Sequence, residues 1–283
     1  MSSEGTYIFD PESPQEMTRL INQDRFITES MGGPLGGMPQ LPPGAQVLDL
    51  ACGPGGWVLD VAWERSDVEV CGVDSSRTMV TYANARARSQ GLLNASFGVM
   101  DITLPLDFAD ASFDLLNARF LLGVLKREAW SPFLAECTRL LRPGGLFRLT
   151  EGNDAGESLS PALEQLTMLA IQALGRVGYG FSSTGRTFGM SAALLHLFKQ
   201  AGYHDMHITS YAMDYSADTS AWADFFHNYK IMLLQIKTLL ISHGLVTPEA
   251  FECQYQQAIM EMHAPDFAAV GHLLSIWGRK TDE

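Results

Sequence analysis

Residues 47–56 read VLDLACGPGG, and this stretch decides the fold. Its first part is a short apolar run, which predicts a buried strand of a parallel sheet. Its second part is rich in glycine, which tolerates positive φ angles and lets the backbone approach a ligand closely. Residues 57–65 then show the apolar periodicity of an amphipathic helix. The stretch therefore predicts a strand, a ligand-binding loop and a helix.

Strands and helices continue to alternate after this unit. Strand patterns at 68–74, 95–101, 112–120 and 142–152 are separated by helical patterns, among them 78–90 and 130–141. This alternation is typical of βαβ units, so we predict an α/β protein with a mainly parallel sheet. Further strands are predicted at 204–215 and 268–280, and further helices at 17–30, 161–177, 191–200 and 219–263.

The pattern also predicts how the chain is divided. An N-terminal helical lid spans 1–44, and the core comprises 45–155, 191–218 and 266–283. Two helical cap insertions, 156–190 and 219–265, interrupt this core. The caps are rich in Met, Phe, Tyr and Leu, which is typical of the wall of an apolar pocket.

The glycine loop is compatible with two kinds of nucleotide cofactor. A dinucleotide fingerprint requires G-x-G-x-x-G, and here Gly53 and Gly55 fit the first two positions while Val58 stands at the third. Asp49 lies just before the loop, where its charge would repel a pyrophosphate. The same charge would attract a cofactor that carries a sulfonium and an ammonium group, so the sequence favours that kind of cofactor.

Two more acids end the second and third strands. Asp74 could accept both hydroxyls of a ribose, a feature that an NAD enzyme would share, or it could cap the following helix. Asp101 could accept a hydrogen bond from the exocyclic amine of an adenine. Met79 follows Asp74 on a predicted helix, and it could lie over an adenine face or pack in the core.

Five motifs together resemble the class I S-adenosylmethionine (SAM)-dependent methyltransferase family, in its small-molecule, UbiE-like branch. They are VLDLACGPGG, GVDSSRTMV, GVMD, FDLLNARFLLG and LLRPGGLFRLTEG, which lie within 45–152. The tail matches more loosely, through LFKQAGY and SIWGRK. The resemblance implies a Rossmann-like, seven-stranded, mostly parallel sheet whose last strand is antiparallel. It also implies SAM as the cofactor and S-adenosyl-L-homocysteine as the product.

The resemblance assigns a set of cofactor-binding residues. The segment YIFD…EMTRLINQD resembles the N-terminal lid of small-molecule members, and it adds two lid residues to the set. Ala51 departs from the family, which usually has a glycine there, and Gly123 stands where many relatives carry a histidine. The implied residues are Asp49, Ala51, Gly53, Gly55, Asp74, Ser75, Met79, Asp101, Ile102 and Asn117, with Tyr7 and Gln23 from the lid.

The expected reaction is methyl transfer to an oxygen, nitrogen or carbon nucleophile of a small apolar or aromatic molecule. A general base is required only where the acceptor loses a proton in the step. The candidates are Glu151 at the end of the fifth strand and His227 and Tyr229 in the second cap. Two alternatives stay open: a SAM-binding enzyme that catalyses cyclisation or elimination, and a non-catalytic Rossmann-like binding protein.

Charge and composition restrict the partners. The net charge is −13 and no run of Lys or Arg occurs, which counts against nucleic acids and anionic membranes as partners. Four cysteines without a C-x-x-C pair indicate no metal site and favour reduced thiols in the cytoplasm. The N-terminus lacks a signal pattern, and the apolar run 231–241 is too short to span a bilayer. A homodimer through the caps stays open.

Overall fold

The computed structural model describes residues 7–281, and its centre is a mixed β-sheet. The strands found in this part of the chain are β1 (Gln46–Leu50), β2 (Glu69–Asp74), β3 (Ala95–Val99), β4 (Phe113–Arg119), β5 (Leu141–Gly152), β6 (Glu157–Ser158), β7 (Tyr203–Asp214) and β8 (Ala269–Lys280). In spatial order they run β3-β2-β1-β4-β5-β8, and β6 and β7 both pair with β8.

The strand directions confirm the predicted architecture. β1 pairs in parallel with β2 and β4, and β2 with β3 and β4 with β5 are also parallel. β8, the last strand, is antiparallel to both β5 and β7. The two-residue β6 was not predicted from the sequence, because a pairing this short leaves no periodic pattern.

The helices agree with the sequence patterns to within a few residues. The first helix begins at Pro14, three residues earlier than predicted. Ser13 caps it by accepting from the backbone N–H of Glu16, and the proline follows the cap. The predicted helical stretch 219–263 forms two helices. The α-helices of the described residues are α1 (Pro14–Ser30), α2 (Gly56–Glu64), α3 (Arg77–Gln90), α4 (Trp130–Leu140), α5 (Pro161–Arg176), α6 (Met190–Gln200), α7 (Trp222–Ser242) and α8 (Pro248–Met262).

Apolar clusters cover both faces of the sheet. On one face α4 and α6 pack against β4 and β5, and the rings of Phe147 and Phe198 stack 5.2 Å apart. On the other face α2 packs through Trp57 and Val61 against Val47 and Leu115. Burial of the central strands on both faces explains why their sequences are continuous apolar runs rather than alternating ones.

The caps form a helical layer with an apolar cluster of its own. α5, α7 and α8 bury Leu166, Leu233 and Phe251 against one another. α1 lies against α7, where Arg19 Nη1 donates to Asn228 Oδ1 over 2.8 Å. Arg19 also forms a buried ion pair with Glu16. The lid and the second cap are therefore joined by polar contacts above the carboxyl ends of the strands.

Within residues 7–281, none of the helices combines the length and the apolar character that a membrane crossing requires.

We expect the Phe251→Ala substitution to lower the free energy of unfolding by about 3–5 kcal/mol, because Phe251 is 0% exposed in the cap cluster. Met260→Ala on the same helix is the matched control, since Met260 is 61% exposed, and its effect should stay within about 0.5 kcal/mol. Chemical denaturation measures both variants. Equal losses would show that the caps are not packed as described.

Candidate functional site

A cavity of about 740 Å³ lies between the carboxyl ends of the strands and helices α1, α5 and α7. This volume falls within the usual range for small-molecule sites. Most of the residues that the resemblance implied lie on its wall, although the chain brings them from the lid and from three different strand ends. The wall includes Tyr7, Gln23, Asp49, Ala51, Gly53, Asp74, Ser75, Met79, Asp101 and Ile102.

The glycine loop between β1 and α2 forms the floor beside the first strand. Gly53 has a φ of 53°, and a Cβ there would meet only Leu20 Cδ1 at 3.7 Å, so its backbone is open to the cavity. Gly55 does not line the cavity. A Cβ on Gly55 would lie 2.5 Å from the Phe97 ring, so glycine is required there for packing behind the loop. The implied ligand contact at Gly55 stays a prediction, and what the structure shows there is packing against Phe97.

Ala51 adopts the left-handed backbone conformation, with a φ of 56°. This conformation brings the Cβ of an L-residue too close to the following carbonyl and costs about 1–2 kcal/mol. The family's usual glycine would adopt it freely. The backbone of Ala51 is thus strained, although its side chain is small. Ala51 lies on the cavity wall.

Asp74 ends β2 and accepts two backbone hydrogen bonds. Gly53 N donates to Oδ2 and Ser76 N donates to Oδ1, each over 2.9 Å. The cap of α3 is Ser76, whose Oγ accepts from Met79 N over 3.2 Å, so Asp74 is not the cap residue. Burial raises the pKa of Asp74. Each carboxylate oxygen has a second lone pair that a ligand hydroxyl can use.

Apolar and acidic groups follow at the ends of β2 and β3. Met79 and Ile102 are buried and both contribute to the cavity wall. Asp101 lies on the same wall, and its Oδ1 accepts from Thr103 N and Thr103 Oγ1 over 2.9 and 2.7 Å. This part of the cavity thus offers an apolar slot with a carboxylate at its edge.

Asp49 is 3% exposed at the end of β1, and burial raises its pKa to about 7. Asn117 Nδ2 donates to Asp49 Oδ1 over 2.6 Å. Asn117 itself is fully buried and is not on the cavity wall, so its implied contact with a cofactor stays a prediction. Its amide lies between Asp49 and Arg148.

The three candidate bases have different environments. Glu151 lines the cavity, is 1% exposed and accepts from Leu121 N over 2.5 Å, and burial raises its pKa to about 8. Tyr229 also lines the cavity; burial raises its pKa, and its hydroxyl donates to Ala155 O. His227 is exposed and lies outside the cavity, with Nδ1 2.7 Å from Ala223 O. His227 therefore lies apart from the other two candidates in this structure.

Sequence reasoning missed an ion pair and an acid on the wall. Asp24 of α1 pairs with Arg119 at the end of β4, and both line the cavity. A Cβ on Gly56 would lie 1.6 Å from Asp24 Oδ2, so glycine admits this carboxylate to the start of α2. Glu12 accepts from Ser76 Oγ over 2.7 Å. These contacts join the lid to distant strands, and no local pattern encodes them.

The wall of the cavity is strongly acidic. Among the described residues, eight carboxyl side chains line it and two arginines oppose them. Each arginine already has a carboxylate partner, Glu16 for Arg19 and Asp24 for Arg119. The acids on the wall are Glu12, Asp24, Asp49, Asp74, Asp101, Glu151, Asp154 and Asp224. Across residues 7–281, no three His, Cys, Asp or Glu side chains are grouped so as to hold a metal ion.

Comparisons with known proteins agree with this geometry. Residues 47–145 match the family described as "Methyltransferase domain". Demethylmenaquinone methyltransferase of Lactiplantibacillus plantarum is 29% identical over 172 residues, which cover 58% of this chain and 72% of that protein. The ubiquinone/menaquinone biosynthesis C-methyltransferase UbiE of Desulfotalea psychrophila is 29% identical over 197 residues, covering 67% and 74%. The chain carries a methyltransferase domain over residues 47–145 and is a SAM-dependent methyltransferase. SAM is therefore its cofactor.

A solved structure shows the same fold around SAM. It is phosphoethanolamine N-methyltransferase 2 of Haemonchus contortus in complex with SAM, with a TM-score of 0.52 and 18% identity. The likeness covers 93% of this methyltransferase and 52% of that chain. At this identity the comparison concerns the fold, which supports the Rossmann-like architecture of the sheet.

In this methyltransferase, we expect Ala51→Gly to raise the free energy of unfolding by about 1 kcal/mol, because it relieves the left-handed strain. Ala85→Gly is the control, and it should change the free energy of unfolding in the opposite direction. Ala85 is exposed within α3, where glycine should cost about 1 kcal/mol. Urea denaturation compares the two variants, and a loss of stability in both would contradict a strained Ala51.

We expect the difference in unfolding free energy between Glu151→Gln and the wild type to depend on pH. The Glu151 carboxyl keeps its proton up to a pKa of about 8 when folded but loses it near 4.5 when unfolded. The wild type therefore loses stability relative to the variant as pH rises from about 4.5 to about 8, by at least roughly 1 kcal/mol, and the difference is constant above that. The other acids titrate equally in both proteins, so their contributions cancel in this difference of unfolding free energy. A difference that stays flat between pH 5 and 8 would contradict the raised pKa.

Proposed function

We propose that this methyltransferase acts on a small, uncharged and largely apolar acceptor that carries a hydroxylated aromatic or quinone-type ring. The methyl group goes to the ring oxygen or to a ring carbon that the oxygen activates. The observation that carries the proposal is the division of one cavity into two parts. The sheet edge supplies an acidic part, the caps supply much of an apolar part, and the two arginines on the wall are already paired with carboxylates.

The acidic part fits SAM, which supplies a methyl group on a positively charged sulfur. Asp74 has lone pairs free for two ribose hydroxyls, beyond the backbone N–H groups that it already accepts. Met79 and Ile102 would flank the adenine, and Asp101 would accept from its amine. The buried slot and its edge carboxylate match a flat base with one donor group.

The methionine part of SAM would lie along the glycine loop. The open backbone at Gly53 and Ala51 allows close approach, and Asp49 offers a negative charge to the ammonium and sulfonium groups. The cofactor would be covered by Ser75 from the loop after β2 and by Tyr7 and Gln23 from the lid. Tyr7 is held for this role by donating to Glu16 Oε1 over 2.6 Å.

The apolar part fits a neutral ring. Its wall is mostly aliphatic and aromatic, which stabilises an apolar acceptor by removing it from water. A phosphate or diphosphate would face the carboxylates without a free cation. The two curated relatives are named for demethylmenaquinone and for ubiquinone and menaquinone, and these names support a ring acceptor. The residues of this apolar wall include Phe120, Leu122, Leu174, Phe188, Phe225, Met232 and Ile236.

Glu151 is the group that we propose as proton acceptor for the ring hydroxyl. It lies at the end of β5 on the cavity wall, and Leu121 N donates to its Oε1, which stabilises the carboxylate once it forms. Because its pKa is about 8, Glu151 is mostly protonated at neutral pH, and the ionised fraction that accepts the proton grows as pH rises toward 8. The cap and the lid orient the acceptor and exclude water, and such positioning can supply several kcal/mol of the barrier.

We also propose that the protein works in the cytoplasm on small molecules rather than on nucleic acids. Its net charge of −13 supports a small-molecule substrate over a nucleic acid. Its free cysteines support a location in the cytoplasm.

For the cofactor site, we expect Asp74→Ala to weaken SAM and S-adenosyl-L-homocysteine binding at least tenfold. The variant removes a charged acceptor of ribose hydroxyls, worth about 1.5–3 kcal/mol per hydrogen bond. Asp107→Ala is the control, since Asp107 is exposed and away from the cavity. Isothermal titration calorimetry measures both variants. Unchanged binding in Asp74→Ala, or equal loss in the control, would contradict the assigned ribose site.

For the reaction, the protein is incubated with SAM labelled in its methyl group and a panel of hydroxylated quinones, phenols and their phosphorylated analogues. We expect label in the neutral ring compounds and none in the phosphorylated ones. A converted acceptor without label would support cyclisation or elimination instead of methyl transfer. Label in the phosphorylated compounds alone would contradict the acceptor class.

A further inference from the structure

A continuous chain of hydrogen bonds runs beneath the cavity floor. Asp49, Asn117 and Arg148 are register partners on β1, β4 and β5, so their side chains stand in a row across the sheet. Asn117 Nδ2 donates to Asp49 Oδ1 over 2.6 Å, and Arg148 Nε donates to Asn117 Oδ1 over 2.8 Å. Arg148 Nη2 then donates to Pro34 O over 2.6 Å. The row thus links the part of the lid that follows α1 to a carboxylate on the cavity wall.

Arg148 is costly for the stability of the fold. It is 1% exposed, and its Nη1 has no hydrogen-bond partner in the part of the chain that the structure describes. Its guanidinium lies 5.4 Å from the centre of the Trp57 ring, and burial lowers its pKa to about 9. A buried charge without a directly paired carboxylate costs several kcal/mol, and an apolar residue of similar volume would often be as stable. The fold alone does not explain this arginine.

The chemistry of the row determines which way the Asn117 amide points. A guanidinium has only donors, so the amide oxygen must face Arg148. The amide N–H group then faces Asp49, and its hydrogen bond to Oδ1 is stronger when the carboxyl group is ionised. This arrangement favours the ionised form of Asp49 and holds its Oδ1 beside Asn117.

We propose that Arg148 is a positioning residue that acts through Asn117 to keep the Asp49 carboxylate ionised and oriented toward the cationic part of SAM. The inference rests on the proposed role of Asp49 in SAM binding. Arg148 makes no contact with the cavity, so its effect on the cofactor is entirely indirect.

The other charged or titratable groups facing Asp49 do not replace Arg148. Arg119 from β4 favours the ionised carboxylate, but it is paired with Asp24 from α1, which opposes it. Cys52 from the glycine loop stays neutral, since burial raises its pKa well above the usual value. Arg148 from β5 remains a cation without a carboxylate hydrogen-bonded to it, and its charge favours the ionised form of Asp49.

The test measures SAM and S-adenosyl-L-homocysteine binding by calorimetry between about pH 5 and about pH 9 in the wild type, Arg148→Met, Arg148→Lys and Asp49→Asn. In the wild type, we expect SAM binding to weaken as pH falls through about 7. In Arg148→Met, the midpoint should move upward by about half a pH unit to one unit, and the Kd for SAM at pH 7 should rise by about two- to fivefold. Arg148→Lys keeps the charge, so it should restore most of the wild-type profile.

The outcomes separate the two proposals. If Asp49→Asn binds SAM with the wild-type pH profile, the proposed role of Asp49 fails. If Asp49→Asn removes the midpoint but the Arg148→Met profile superimposes on that of the wild type, the role of Arg148 is overturned while that of Asp49 stands. Circular dichroism checks that each variant is folded. Should Arg148→Met unfold, Asn117→Leu interrupts the row at its other link, and the same upward shift is then expected.

Discussion

The burial of carboxyl groups at the carboxyl edge of the parallel sheet is the constraint on which the rest of the site depends. Asp49, Asp74 and Glu151 end three strands, and burial raises the pKa of each. Each also accepts from an amide N–H group, which partly offsets the loss of water. Because these groups are expensive to ionise inside the fold, a ligand that brings positive charge or hydroxyl donors to them is strongly favoured.

The same edge holds backbone strain. Ala51 and Phe120 are both non-glycine residues in the left-handed region, and both lie on the cavity wall. Strain of this kind persists only where the surrounding structure holds it in place, and it is common at binding sites. Here the lid supplies part of that support, because Ile8 N donates to Gly123 O, next to the turn that Phe120 begins. A side chain at Gly123 would crowd Ile8, which gives a structural reason for the absence of a histidine there.

The core could be predicted from the sequence because each of its parts has a local signature. The run 47–56 predicts β1 and its loop, and the acids at 74 and 101 mark the following strand ends. The lid and cap contacts could not be predicted, because they join residues such as Asp24 and Arg119 that are far apart in the chain. The surroundings of Asn117 could not be predicted for a related reason. The sequence shows a polar residue near a strand end but not the strand register, which places its side chain between Asp49 and Arg148.

The position of the cofactor is best determined from a crystal structure of the protein with bound S-adenosyl-L-homocysteine. We expect both ribose hydroxyls to lie within about 2.7–3.2 Å of the Asp74 carboxylate, with the adenine between Met79 and Ile102. We also expect the ammonium group of the ligand to lie on the side of Asp49. An adenosyl group bound elsewhere, or a ribose without contact to Asp74, would show that these strand ends do not form the cofactor site.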